Sequence, residues 1–311
     1  MHILRHIAAG AAAVGLILAA TSCRNSAVSN PSGLDHEALT NEIDSLLAGV
    51  PAQVGVAVIL DGTDTVTVNN SADYPMKSMF KLQEAISVCR TLGERGQTID
   101  TVFNIPRSAL HTDTWSPMLK DYTADTVRIS ARGLMDYLLV HSDNNASNLL
   151  FSLVATAPQT DSIIRGITSD GAFNISYTEA QMQREHDLAY ANRTSPLAYA
   201  ELVDRLFTDS LAPTPMQDFI KDAMSRCNTG TARIQGGLPD KEGVKFAHRT
   251  GSGYVNERGE VVAVNDGGHV SLPDGRSYSV AVFVKDYAGP QEDAEAVIAR
   301  ISEAIYRHIT E

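Results

Sequence analysis

Strand patterns stand at both ends of this chain and helical patterns fill its middle, so its fold must join segments far apart in sequence into one sheet. Val54–Leu60 and Thr65–Asn69 read as strands joined across Asp61-Gly62. A second group is Val244–His248, Glu260–Asn265, His269–Leu272 and Ser277–Val284, with Asp266-Gly267 and Pro273-Asp274-Gly275 as turn signals. From Ser78 to Cys227 the apolar spacing is mainly helical, with starts at Ser195-Pro196 and Thr214-Pro215, where a cap precedes a proline. Helices over about Asp35–Leu47 and Glu292–His308 lie at either end. The expected class is α+β: an antiparallel sheet flanked by terminal helices (34–72 and 228–311), with an all-helical domain (73–227) inserted.

With 311 residues and 43% apolar composition, the chain can bury a large core. A formal charge of −12 with no basic run excludes nucleic acid and anionic lipid surfaces as partners. The first 22 residues read as a signal peptide, with Arg5 ahead of an apolar run from Ile7 to Ala20 that is too short for an ordinary membrane span. Export to the periplasm follows. Ala20-Thr21-Ser22-Cys23 is similar to a bacterial lipoprotein cleavage box, which would put a lipid on Cys23; ordinary cleavage nearby is the alternative. Residues 23–33, rich in Ser, Asn, Pro and Gly, would then be the tether. Of the other two cysteines, Cys89 falls on the apolar face of a helix and reads as a buried thiol, while spacing alone cannot pair it with Cys227. The nine His and three Cys show no metal-ligand spacing, and no cofactor motif is present. Nothing suggests more than a monomer.

Three short segments carry chemistry. Ser78-Met79-Phe80-Lys81 opens a helix whose stripe Leu82, Ala85, Ile86, Cys89 and Leu92 faces a core, and the i, i+3 spacing sets Lys81 beside the Ser78 hydroxyl. Ser142-Asp143-Asn144 interrupts two helical segments, Ala131–Val140 and the one containing Leu149, Leu150 and Leu153; its residues either cap the second helix or face a cleft. Arg249-Thr250-Gly251-Ser252 ends a strand pattern and would put a cation at a cleft edge. A nucleophilic hydroxyl, an amine to activate it, a second hydroxyl and a seat for a carboxylate make an acyl-transfer set.

These motifs, in this order, resemble those of class A serine β-lactamases, from about Leu34 to the C-terminus. The resemblance implies that Ser78 is the nucleophile, that Lys81 is its partner, and that Ser142 relays a proton to the departing lactam nitrogen. It makes Asn144 a ligand for the substrate amide and Asp143 structural. Arg249, where Lys is usual, and Thr250 would bind the β-lactam carboxylate, and the backbone N–H groups of Ser78 and Ser252 would form the oxyanion hole. The deacylating base would be Glu179 rather than Glu185, with Gln183 in place of the water-holding Asn of the family's E-P-x-L-N pattern. Asn192 and Tyr177 stand where an acidic residue and its Arg partner are usual, a departure resembling the Bacteroides-type cephalosporinase branch. Arg233 would support the carboxylate site or serve a structural ion pair, and Trp115 would flank the cleft or fill a core. His141 reads as packing. Two readings compete: a penicillin-binding DD-peptidase, and a β-lactam sensor or binding lipoprotein that stays acylated.

Overall fold

Asp35 caps the first helix by accepting the Ala38 N–H, and the chain then runs α1 (His36–Leu47), β1 (Gln53–Leu60), β2 (Asp64–Val68) and β3 (Tyr74–Pro75). In the computed structural model, which describes residues 33–168 and 172–311, a 3₁₀ turn over Lys77–Phe80 leads into α2 (Lys81–Glu94). The segments expected to be a signal peptide and a tether, Cys23 among them, lie outside the described residues up to Ser32. Next come β4 (Val102–Pro106), α3 (Met118–Asp121), β5 (Thr126–Ser130), α4 (Ala131–Val140), α5 (Asn144–Leu153), α6 (Ala157–Arg165) and α7 (Glu179–Arg184). The chain ends with β6 (Arg193–Thr194), α8 (Pro196–Thr208), α9 (Thr214–Ser225), α10 (Ile234–Gly237), β7 (Lys245–Ser252), β8 (Val261–Ser271), β9 (Ser277–Tyr287) and α11 (Gln291–Thr310).

The main sheet is antiparallel in the order β2-β1-β9-β8-β7, so the N-terminal hairpin pairs with the last strand, Val56 opposite Val282. Successive side chains leave opposite faces of a strand. Val54, Val56 and Val58 of β1 and Val280, Val282 and Val284 of β9 therefore meet Leu39 and Ile43 of α1 and Ile298 and Ile301 of α11. Their neighbours Ala57, Ile59, Ala281 and Phe283 join the helical part through Tyr199, Met79 and Phe80. With both faces covered, these strands read as continuous apolar runs. Each fully buried Val, Ile or Phe contributes roughly 1.5–3 kcal/mol.

Several local readings are corrected. Asp266-Gly267 is no turn; it lies inside the single strand β8. The buried Asp266 carboxylate accepts from His248 Nδ1 (2.8 Å) and Ile234 N (3.1 Å), so its charge is answered within the fold. At Gly267 a Cβ would lie 2.9 Å from the Tyr199 ring, so the glycine makes room for a side chain rather than a bend. Thr214 is already helical and makes no cap bond. The mainly helical middle also contains the antiparallel hairpin β4–β5, whose short strands pair Phe103 with Ile129 and Ile105 with Val127. Cys89 and Cys227 are both buried free thiols.

Candidate active site

Ser78 lies in the 3₁₀ turn rather than at the start of the α-helix, and i, i+3 side chains eclipse in that geometry. No hydrogen bond joins its hydroxyl to Lys81. Both groups instead meet one oxygen of Glu179: Ser78 Oγ donates to Glu179 Oε1 at 3.1 Å, and Lys81 Nζ lies 3.1 Å from the same atom. Lys81 Nζ also donates to Ser142 O (2.8 Å), Ser142 Oγ (3.4 Å) and Asn144 Oδ1 (2.6 Å). Burial disfavours both charges. Yet the ammonium of Lys81, then that of Lys77, holds the Glu179 carboxyl below the usual carboxylate range, while burial carries the Lys81 ammonium below the usual lysine range. Ser142 reaches this cluster from the α4–α5 junction with a left-handed backbone, φ 58°. Asp143 is structural: it caps α5 through Ala146 N and accepts from Ser116 Oγ and Met118 N.

Strand β7 forms the opposite side. Gly251 packs directly on the segment before Ser78, where a Cβ would come within 2.3 Å of Met76 O. Arg249 is not at the cleft edge, and that expectation is corrected. Its guanidinium is fully buried, donating to Leu139 O (2.5 Å), Ser78 O (3.4 Å) and Ser142 Oγ (3.1 Å). Its Nη1 also meets Cys227 Sγ (3.6 Å), while its buried Nε has no partner. Thr250 and Ser252 do line the cleft. Thr250 Oγ1 bonds Thr229 Oγ1 (2.5 Å), and Ser252 Oγ accepts from Arg233 Nη2 (2.6 Å). Arg233 is itself buried, paired with Glu295 at 3.0 Å, so it touches the cleft only through Ser252.

The cleft holds about 770 Å³, and Ser78, Ser142, Asn144 and Glu179 all line it. Glu185 does not. Trp115 is 63% exposed on the cleft wall, its indole N–H bonded to His141 O at 2.9 Å, which rules out the core placement. Gln183 lines the cleft too, with Nε2 bonded across to Asp113 O (3.3 Å). Both ends of the Asn144 amide are engaged, by Lys81 and by Thr114 Oγ1 (2.9 Å). His141 packs on Tyr137 and bonds Asn228. Sequence reasoning missed Lys77, His186 and Tyr254 as cleft residues. The only signal was that Lys77 and Tyr254 flank the motifs.

The model of the Beta-lactamase enzyme family matches residues 38–309. A β-lactamase of Phocaeicola vulgatus is 46% identical over 86% of this chain and 84% of its own length. The extended-spectrum β-lactamase PER-1 of Pseudomonas aeruginosa is 32% identical over 86% of each chain. Among solved structures, a class A β-lactamase from Bacteroides cellulosilyticus superposes with a TM-score of 0.82 at 30% identity, covering 88% of this chain and 97% of that one. The chain belongs to the class A β-lactamases.

In this β-lactamase the loop carrying Glu179 is held without the ion pair usual at Asn192 and Tyr177. Asn192, fully buried, accepts from Ser176 N (2.9 Å) and Tyr177 N (3.0 Å) and donates to Tyr177 O (2.7 Å). An amide supplies donor and acceptor together, as a carboxylate cannot. The loop is anchored again where Ala180 N donates to Asn148 Oδ1 (3.0 Å), and Thr178 with Gln181 forms a capping box at the start of α7.

Proposed function

We propose that this β-lactamase works through a serine acyl-enzyme formed on Ser78 and cleared by water activated by Glu179, with cephalosporins preferred. The observation that carries the reading is the single oxygen, Glu179 Oε1, that contacts both Ser78 Oγ and Lys81 Nζ. Ser78 Oγ attacks the lactam carbonyl while its proton passes to Glu179 or, where that carboxylate is missing, to Lys81 beside it. The backbone N–H groups of Ser78 and Ser252 take the oxyanion. Ser142 Oγ accepts from Arg249 and Lys81, which leaves its own O–H free to donate to the leaving nitrogen; the proton taken from Ser78 then reaches Ser142 through Lys81, which restores the Glu179 carboxylate. The substrate carboxylate meets Thr250 and Ser252, with the charge of Arg249 behind them. Asn144 receives the substrate amide, and Trp115 and Gln183 bound the entrance. Once Ser78 Oγ is esterified it no longer donates to Glu179, so the carboxylate takes a proton from water instead and drives it onto the ester.

Support for cephalosporins comes from the resemblance of the Asn192–Tyr177 departure to the cephalosporinase branch. The enzyme acts in the periplasm as a monomer, anchored through a lipid on Cys23. A Cys23→Ser variant would then leave the membrane fraction. The catalytic reading is tested by mass spectrometry after a cephalosporin pulse: turnover without adduct in the wild type, and a persistent acyl adduct on Ser78 in Glu179→Ala. A persistent adduct in the wild type would instead mark a DD-peptidase or a sensor.

A further inference from the structure

Lys77 is the one cleft cation that the proposed chemistry does not use. It precedes Ser78 with a left-handed backbone, φ 48°, and its side chain lines the cleft. The ammonium makes no hydrogen bond and no ion pair among the described residues. Its recorded contact is the ring face of Tyr254, 5.5 Å to the centroid, and that ring lies 4.5 Å from the imidazole of His186, which also lines the cleft. Glu179 is the acid that Lys77 influences, but its Oε1 is already engaged by Ser78 and Lys81. Burial weakens the Lys77 ammonium, and Glu179 offsets this only in part. A half-buried cation with one aromatic face behind it and no counter-charge bonded to it is a recognition group awaiting an anion.

The position says which part of a substrate would bring that anion. In the proposed function the ring carboxylate of the substrate lies toward Thr250, Ser252 and Arg249. Lys77 lies against Gly251 and Tyr254 on the β7 side, and Met182 and His186 meet it from the segment that carries Glu179, so the acyl side chain would extend into this end of the cleft between the two. We propose that Lys77, backed by Tyr254 and flanked by His186, is a subsite for an anionic substituent on the acyl side chain, so that β-lactams bearing a carboxylate there are selected. This rests on the proposed reaction at Ser78.

The test is a matched pair of cephalosporins with one nucleus and one leaving group, whose oxyimino side chain ends in a carboxylate or in its methyl ester. The readout is the ratio of kcat/KM, acid over ester, which cancels any general effect of Lys77 on Glu179. In Lys77→Met the ratio is expected to fall about tenfold, mainly through KM, and in Lys77→Arg to stay close to wild type. An equal ratio in wild type and Lys77→Met overturns the subsite. Wild type alone gives a second reading: raising salt from about 0.01 M to about 1 M should lower the ratio several-fold by screening, and an unchanged ratio would count against an ionic subsite. Failure of wild type to turn over either compound would overturn the proposed reaction, and the subsite with it.

Discussion

Glu84 stands one turn beyond Lys81 on α2, fully buried, with one oxygen accepting from Ser147 Oγ at 2.7 Å and the other without a partner. Burial raises its pKa well above 4.5, against the pull of Ser147 and Lys81. The folded state therefore keeps a proton that the unfolded chain releases above about pH 4.5, and stability falls as pH rises from there toward the folded pKa. Each such pH unit costs about 1.4 kcal/mol while the difference of one proton lasts. Glu84→Gln removes that proton difference. The variant should melt at nearly the wild-type temperature at pH 4.5 and several degrees above it at pH 7.5, as read by calorimetry. Equal melting temperatures at both pH values would show that Glu84 ionises normally. Nothing in the sequence singled out Glu84, because its meaning depends on Ser147, a partner distant in sequence. The placement of Lys81 one turn from Ser78 was legible from the i, i+3 spacing, whereas Ser142 was legible only through the resemblance of its motif to that of the family. The burial of Arg249 was not, since it depends on where Leu139 O falls.

At the scale of elements, the loop carrying Glu179 is clasped by one side chain, the amide of Asn192. Removing the Asn192 amide leaves the N–H groups of Ser176 and Tyr177 and the carbonyl of Tyr177 without their buried partner, at a cost of roughly 1–3 kcal/mol for each unsatisfied group. Asn192→Ala is expected to lower kcat at least tenfold, with acyl-enzyme accumulating and proteolysis appearing between residues 172 and 192. Asn192→Asp keeps both acceptor bonds but sets a carboxylate against Tyr177 O, so its kcat should fall between the two. Full activity in Asn192→Ala would show that Ala180–Asn148 and the capping box suffice. The sequence marked Asn192 and Tyr177 only as a missing ion pair; the clasp that replaces it uses backbone groups, which residue identity does not reveal. The same limit hid the continuity of β8, because Asp266-Gly267 has turn chemistry locally and is held straight by His248, Ile234 and Tyr199.

For the whole molecule, the joining of both chain ends into one sheet was readable from the strand patterns, whereas the link from the terminal helix to the cleft was not. That link runs from Glu295 on α11 to Arg233, and from Arg233 to Ser252 on β7. The guanidinium is buried, and its remaining bonds go to Gly251 O (3.1 Å) and Asn265 O (2.7 Å). Glu295 is also held by Gln291 Nε2 at 3.0 Å. Deleting the carboxylate leaves a buried cation with only neutral acceptors, a change worth about 3–5 kcal/mol when a buried pair is broken from one side. Glu295→Ala should lower the melting temperature markedly. It should also raise KM more than it lowers kcat, because Arg233, the donor to the Ser252 hydroxyl, loses the carboxylate that holds it in place, while Ser78, Lys81 and Glu179 lie outside the chain of contacts. Glu295→Gln keeps an acceptor for Arg233 and should recover most of the KM effect but less of the stability. A loss of stability in Glu295→Ala with KM unchanged would mean that α11 supports the sheet without reaching the substrate.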